Sequence, residues 1–327
     1  MARKWRVGVV GCGGIGRVHV SAYQQTGAEI VAVHDVATKT AEAVAATARA
    51  RVAVSPAEMA TRDKLDAVSV CTPPAMHLAC CLPFLKARIP VLCEKPLEAD
   101  LPRARRLATA VKKSGALFMT AFCHRFHPSV IELKKLIQRG VLGKPLFFRN
   151  IFVGYLKLDG DHRANPALSG GGCLIDHCSH SVDLFRYLIG EPTHVQAQGG
   201  QILQEGRIED FGMIELMGNN TVFGQITASY SIMADQNCIE WFGAKGCAVI
   251  RYWQKELPEF AYKIGGKDWA PADCSSHPDR FLGEIQHFLN CVRTGKMPLI
   301  TVDDGLQVSR IVAGVYRSVK TGRRVAL

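Results

Sequence analysis

The chain has 327 residues, 48% of them hydrophobic and 21% charged, which suits a globular protein of one large or two ordinary domains and argues against disorder. No apolar run is long enough to cross a bilayer and no secretory leader is evident, so a cytoplasmic protein without membrane attachment is expected. The 12 cysteines lack the spacing of a disulfide framework, and the net charge of +11 is scattered in short patches such as Arg103–Arg106, so free thiols and no nucleic-acid partner are expected.

Strand-like runs at Arg6–Val10, Glu29–His34, Ala67–Cys71, Pro90–Cys93 and Leu117–Thr120 alternate with helical patterns at Ile15–Thr26, Ala37–Ala48, Met76–Ala87 and Leu101–Ser114. Strands separated by helices require crossovers and predict an α/β Rossmann domain, a doubly wound parallel sheet, over residues 1–124. A linking helix, Ser129 to Arg139, follows. Longer period-two segments then appear, among them Leu146–Val153, His194–Gln201, Phe211–Met217, Val222–Tyr230, Ile239–Phe242 and Ala248–Trp253. They predict an α+β domain over 125–327 with an open-faced, mostly antiparallel sheet. Two amphipathic helices close the chain, the last of them, 303–320, free to pack back on the first domain.

Gly11-Cys12-Gly13-Gly14-Ile15-Gly16 has the pattern Gly-x-Gly-x-x-Gly between a predicted strand and a predicted helix, and Asp35 ends the next strand. Gly11 allows the tight turn, Gly13 lets the backbone approach a pyrophosphate and Gly16 lets helix and strand pack closely. The phosphates would rest on the N–H groups of Gly14, Ile15 and their neighbours at the helix start. Asp35 can accept from both ribose hydroxyls and would repel a 2′-phosphate, so NAD is expected over NADP, even with Lys39 nearby. Two further loops leave strand ends where open sheets bind ligands: Cys71-Thr72-Pro73-Pro74, leading to His77, and Cys93-Glu94-Lys95-Pro96.

Farther on, Gly170-Gly171-Gly172 opens a helix on which Asp176 and His180 share a face, with Asp183 and Tyr187 extending the stripe among apolar neighbours. Polar groups beside a core need partners, so something polar should meet this edge. Cys173, Asp176, His177, Cys178 and His180 crowd one segment, but a helix turns His177 and Cys178 away from the rest. Too few ligands converge for zinc, and no metal is expected.

The nucleotide loop, Thr72-Pro73-Pro74 with His77, Glu94-Lys95-Pro96, Arg125-Phe126-x-Pro128 and the glycine turn with Asp176, His180 and Asp183 together resemble the glucose-fructose oxidoreductase/inositol dehydrogenase family, Gfo/Idh/MocA, in order and spacing. The resemblance spans nearly the whole chain. It implies NAD(P)-dependent oxidation of a secondary alcohol of a sugar, sugar derivative or cyclitol, and a homodimer or homotetramer formed through the antiparallel sheet. It also implies that Lys95, Asp176 and His180 are catalytic, with His180 as base, Lys95 holding the oxygen and Asp176 orienting its neighbours. Cofactor contacts are implied at Gly11, Gly13, Gly14, Ile15, Gly16, Asp35, Cys71, Thr72, Pro73, His77, Glu94 and Lys95. Lys95, Arg125, His162, Arg163, Asn165, Asp176 and His180 are expected to contact substrate. Cys178, Cys123-His124 and His162-Arg163 depart from the family pattern, which bears on substrate identity more than on reaction type. Two other activities fit the same pattern: glycoside cleavage through transient oxidation, and NAD or sugar sensing without catalysis.

Overall fold

The computed structural model describes residues 4–218, 222–234, 237–252 and 258–327. Trp253, the expected end of one strand, lies outside these residues. The chain divides into two compact units, Met1–Cys123 with Asp279–Ser309, and His124–Pro278 with Arg310–Leu327.

The first unit runs β1 (Arg6–Val10), α1 (Gly14–Gln25), β2 (Glu29–His34), α2 (Thr38–Ala48), β3 (Arg51–Val52), α3 (Pro56–Arg62), β4 (Ala67–Val70), α4 (His77–Lys86), β5 (Val91–Glu94), α5 (Leu101–Ser114) and β6 (Phe118–Ala121). Its six strands are parallel in the order β3-β2-β1-β4-β5-β6. The order reverses between β1 and β4, so the loops after these strands border the crevice in which doubly wound sheets bind ligands. β3 and α3 carry no strong period and were absent from the sequence expectation. They are short, and α3 is set by local chemistry: Ser55 accepts the Glu58 N–H, and Pro56 occupies the first turn. Helix α5 shows the fuller rule. Asp100 caps its start, Ala104, Leu107, Ala108 and Val111 bury one face, and Gly115 ends it in a left-handed conformation.

Val10, Val68, Val70, Phe84, Val91 and Leu107 share one core cluster with Val302, which explains why residues 279–309 count with this unit. The sequence reading placed this segment in the second domain, save for the allowance made for the last helix. α9 (Arg280–Thr294) packs on α1 and buries Ile285, Phe288 and Leu289. α10 (Val302–Thr321) begins in the first unit and finishes in the second.

The second unit contains α6 (Pro128–Gln138), β7 (Pro145–Val153), α7 (Pro166–Ser169), α8 (Asp176–Leu188), β8 (Pro192–Gly200), β9 (Phe211–Gly218), β10 (Phe223–Ser229), β11 (Cys238–Gly243), β12 (Gly246–Arg251), β13 (Phe260–Ile264), β14 (Ala270–Pro271) and, at the chain end, β15 (Val325–Ala326). The nine strands follow the order β14-β13-β12-β11-β7-β10-β9-β8-β15, antiparallel except for the pair β7 and β10. α8 covers one face. Phe185 meets Phe148 edge-on at 5.8 Å and lies where a side chain on Gly224 would fall, 2.6 Å from an added Cβ. The other face carries a row formed by Phe242, Phe147 and Phe223, in register across three strands. Phe223 and Phe242 are 48% and 36% exposed.

Candidate active site

The first turn of the nucleotide loop is built on glycine for steric reasons. Gly11 has φ of +93°, and a Cβ there would come within 2.5 Å of the Cys71 carbonyl oxygen; one on Gly16 would come within 1.9 Å of the Gly11 carbonyl oxygen. Gly13 and Gly14 face open space instead, and no side chain caps the start of α1. A bare, uncapped helix N-terminus with backbone that a ligand can approach closely is a cradle for phosphate, and these residues fit a dinucleotide. Asp35 holds the loop from the side: its carboxylate accepts the Cys12 N–H at 2.7 Å and the Ala37 N–H at 2.8 Å. Burial, and then the charge of Asp35, pushes the Cys12 thiol up to about 11.

His77 joins the other two loops. Its fully buried ring sits between the Thr72-Pro73 turn and the Lys95-Pro96-Leu97 turn, 2.9 Å from the Thr72 carbonyl and 3.2 Å from the Leu97 carbonyl, and a ring N–H can donate to either. The Lys95–Pro96 peptide is cis. The Lys95 N–H donates to Glu94 Oε2 at 3.0 Å. His77 therefore packs between the two loops, whatever else it touches.

In the second unit, the glycine turn before α8 is shaped by Glu209. Its Oε1 accepts from Gly172 N, Leu174 N and the Tyr316 hydroxyl at 2.9, 3.1 and 2.7 Å. A Cβ on Gly172 would lie 1.8 Å from the Glu209 carbonyl oxygen, which is why the turn needs glycine there. The polar stripe of α8 does meet polar partners. Asp176 Oδ2 accepts from Arg163 Nε at 2.9 Å and from the Tyr230 hydroxyl at 2.8 Å. Burial first, and then the Asp176 carboxylate, pushes the Tyr230 phenol well above its ordinary range, so it remains a donor. His180 is buried one turn on. Its ring lies 4.5 Å from that of His124, and His124, Asn150, Phe152 and Tyr252 join it in lining a small crevice. His177 stacks on Phe152 at 4.4 Å, and the Cys173 thiol turns into the sheet toward the Ala228 carbonyl.

Arg125 was expected to contact substrate. Its guanidinium forms a two-pronged ion pair with Asp183 at 2.6 and 2.8 Å, both residues buried, and it lies over the Tyr187 ring. A carboxylate inside the unit required a cation, and Arg125 supplies it. Asn165 caps the short helix α7 through the Ala167 N–H, and His162 lies beside Asp161 at 3.2 Å. Arg163, from the same loop, reaches α8 through Asp176. Sequence reasoning missed Tyr230, which sits at the end of a strand pattern as one more apolar position. It also missed the wall formed by Phe152 and Tyr252.

These features define a nucleotide-binding oxidoreductase fold. The chain matches the model of the oxidoreductase family with an NAD-binding Rossmann fold over residues 5–122, and that of the GFO/IDH/MocA C-terminal domain over 130–249, and it belongs to this family. It is 26% identical to the scyllo-inositol 2-dehydrogenase (NAD(+)) of Bacillus subtilis, across 100% of this chain and 97% of that protein. Identity to the D-glucoside 3-dehydrogenase of Escherichia coli is also 26%, across 98% and 97% of the two chains. The crystal structure of aldose-aldose oxidoreductase from Caulobacter crescentus, complexed with glycerol, superposes with a TM-score of 0.90 at 24% identity, covering 99% of this chain and 100% of that one. The cofactor is NAD. Among the described residues no helix is long and apolar enough to cross a membrane.

Proposed function

We propose that the protein oxidises a secondary alcohol on a sugar, sugar derivative or cyclitol, with Lys95, Asp176 and His180 as its catalytic residues. Bound NAD supplies the hydride acceptor. The residues read as holding it are Gly11, Gly13, Gly14, Ile15 and Gly16 beneath the phosphates, Asp35 toward the ribose, and the Cys71-Thr72-Pro73 and Glu94-Lys95 loops with His77. His180 takes the hydroxyl proton, a task suited to an imidazole near neutral pH. Lys95 holds the alcohol oxygen as negative charge develops on it. Asp176 orients the substrate or the imidazole, and Arg163 fixes Asp176 from the loop side. His162 and Asn165 contribute contacts from the same loop.

The observation that supports this reading is the Asp176 carboxylate, held at one oxygen by Arg163 and Tyr230, one helical turn before His180, which itself lines a small crevice. The names of the relatives support polyols as the substrate class. A panel of inositols, sugars and sugar acids with NAD and with NADP, followed by NADH absorbance, tests it. NADH formation with at least one polyol is the expected result. Release of free sugar from a glycoside without net NADH would assign the transient-oxidation chemistry instead, and NAD binding with no turnover would assign sensing.

The outward row Phe242, Phe147 and Phe223 supports a further element of the proposal, a second copy of the chain covering this sheet face in a homodimer or homotetramer. Sedimentation of Phe223→Glu protein as a monomer, against an oligomeric parent, is the expected result.

A further inference from the structure

A buried polar chain runs behind the Glu94-Lys95 corner, and the nucleotide loop makes no use of it. His19, on α1, has no exposed surface; its Nδ1 lies 3.1 Å from Ser69 Oγ and its Nε2 lies 3.1 Å from Glu94 Oε1. The Tyr23 hydroxyl, one turn on, lies 2.9 Å from the same Ser69 oxygen. Glu94 Oε2 accepts the Lys95 N–H.

The donor inventory orders the chain. Burial drives the Tyr23 phenol far above its ordinary range, so it keeps its proton and donates to Ser69. Ser69 then donates to Nδ1, which leaves Nε2–H as the donor to Glu94. Every group is satisfied with Nε2–H facing Glu94. Glu284 of α9 lies on the other side. It is fully buried, neither of its oxygens has a hydrogen-bond partner among the described residues, and burial followed by the charge of Glu94 raises its carboxyl well above the usual range. It therefore sits as a neutral acid and adds no counter-charge. His19 is the side chain whose hydrogen bond holds the Glu94 carboxylate.

We propose that His19 is a positioning residue for Lys95: by holding Glu94 Oε1 it fixes the carboxylate whose other oxygen holds the lysine main chain, and so aims the lysine side chain. This rests on the reading of Lys95 as catalytic. A core histidine that served packing alone would tolerate an apolar replacement of similar volume without any change at Lys95.

The test uses the full chain carrying His19→Leu, His19→Gln or Lys95→Ala. Acetylation by acetic anhydride, read by mass spectrometry, gives the reactivity of Lys95 relative to the exposed Lys39. Turnover is measured with NAD and whichever polyol of the panel forms NADH. His19→Leu removes the donor to Glu94 and is expected to raise the Lys95:Lys39 ratio by about threefold or more, since a corner no longer held at Glu94 opens more often and presents its lysine to the reagent. It should also lower kcat by about 10- to 100-fold through misplacement, with KM for NAD little changed. His19→Gln, whose amide N–H can replace Nε2–H, should recover most of both. An unchanged ratio in a His19→Leu protein of native melting temperature overturns the proposal, as does equal loss in the Leu and Gln variants. If His19→Leu does not fold, Ser69→Ala, which removes the group that sets the tautomer, is expected to raise the same ratio, and no change there overturns the linkage. Undiminished turnover in Lys95→Ala would dismiss the catalytic reading of Lys95 while leaving the acetylation ratio to decide the linkage to His19.

Discussion

The Asp35 carboxylate accepts the Cys12 N–H at 2.7 Å, so the residue expected to read the ribose also holds the phosphate loop in shape. On the proposed reading one side chain therefore serves both the loop and the ligand. Asp35→Ala should weaken NAD binding by more than the loss of a ribose contact alone, about 100-fold, because a charge-assisted hydrogen bond of about 1.5–3 kcal/mol to the loop goes with it. NADP binding should fall less, since the repulsion toward a 2′-phosphate also disappears. Titration of both nucleotides by fluorescence checks the difference.

The same contact sets the chemistry of Cys12. With its thiol pushed up to about 11 by burial and by Asp35, the reactive thiolate is the minor form at neutral pH. Below the ordinary thiol range and up to pH 9 alkylation of Cys12 by iodoacetamide should be slow, and it should accelerate as pH rises through about 11, later than for an unperturbed cysteine. Peptide mapping of alkylated protein over that range gives the profile. An inflection near the ordinary cysteine value would show that neither burial nor Asp35 acts on the thiol.

His180→Ala should lower kcat by a factor of about 10²–10⁴, equivalent to about 3–5 kcal/mol of barrier, because a positioned general base is lost. The fold should be retained, since α8 keeps Val182, Leu184, Phe185 and Leu188 in the core. Turnover assays paired with circular dichroism melting measure the two effects separately. Full turnover in the folded variant would remove the imidazole from the mechanism.

Tyr230→Phe takes away a donor that holds Asp176 Oδ2 and adds nothing of its own. A loss of about 1.5–3 kcal/mol is expected for a hydrogen bond to a charged group, shared between stability and turnover. Arg163→Lys should resemble it in turnover, because an ammonium does not reproduce the guanidinium geometry at Asp176. Steady-state kinetics with the polyol found in the panel distinguish these variants from the parent.

Arg125→Met removes the two-pronged partner of buried Asp183 and leaves it the longer ion pair to Arg186 Nη1, at 3.9 Å. Removing one partner from a buried pair costs about 3–5 kcal/mol, which in a unit of this size lowers the melting temperature by about 6–20 °C. Arg125→Met together with Asp183→Leu should recover much of the loss, because no uncompensated charge remains. Differential scanning calorimetry of the single and double variants is the measurement. A single variant as stable as the parent would mean that Arg186 alone compensates the Asp183 charge.

The parallel sheet, the glycine loop, Asp35 and the shared face of Asp176 and His180 could all be read in the sequence. Each is a local pattern: strand runs bounded by turns, glycines at fixed offsets, residues one helical turn apart. The short elements β3, α3, β13 and β14 were not legible, because two to seven residues give too little period to separate from a loop. The parallel pairing of β7 with β10 was not legible either, since alternation fixes which side chains share a face but not the direction of the neighbour.

What the sequence determined by itself was chemistry carried by neighbours along the chain: a phosphate-binding turn, a loop ending in Glu94-Lys95, and a helix with a carboxylate and an imidazole on one face. Tertiary structure alone decided which groups answer them. Tyr230 is 54 positions from Asp176, Arg125 is 58 from Asp183, and His19 is 75 from Glu94. No periodicity links such pairs. They meet because burying an apolar face leaves each polar group inside it to find a partner from whatever strand or helix packs there, and that choice is made by the fold as a whole.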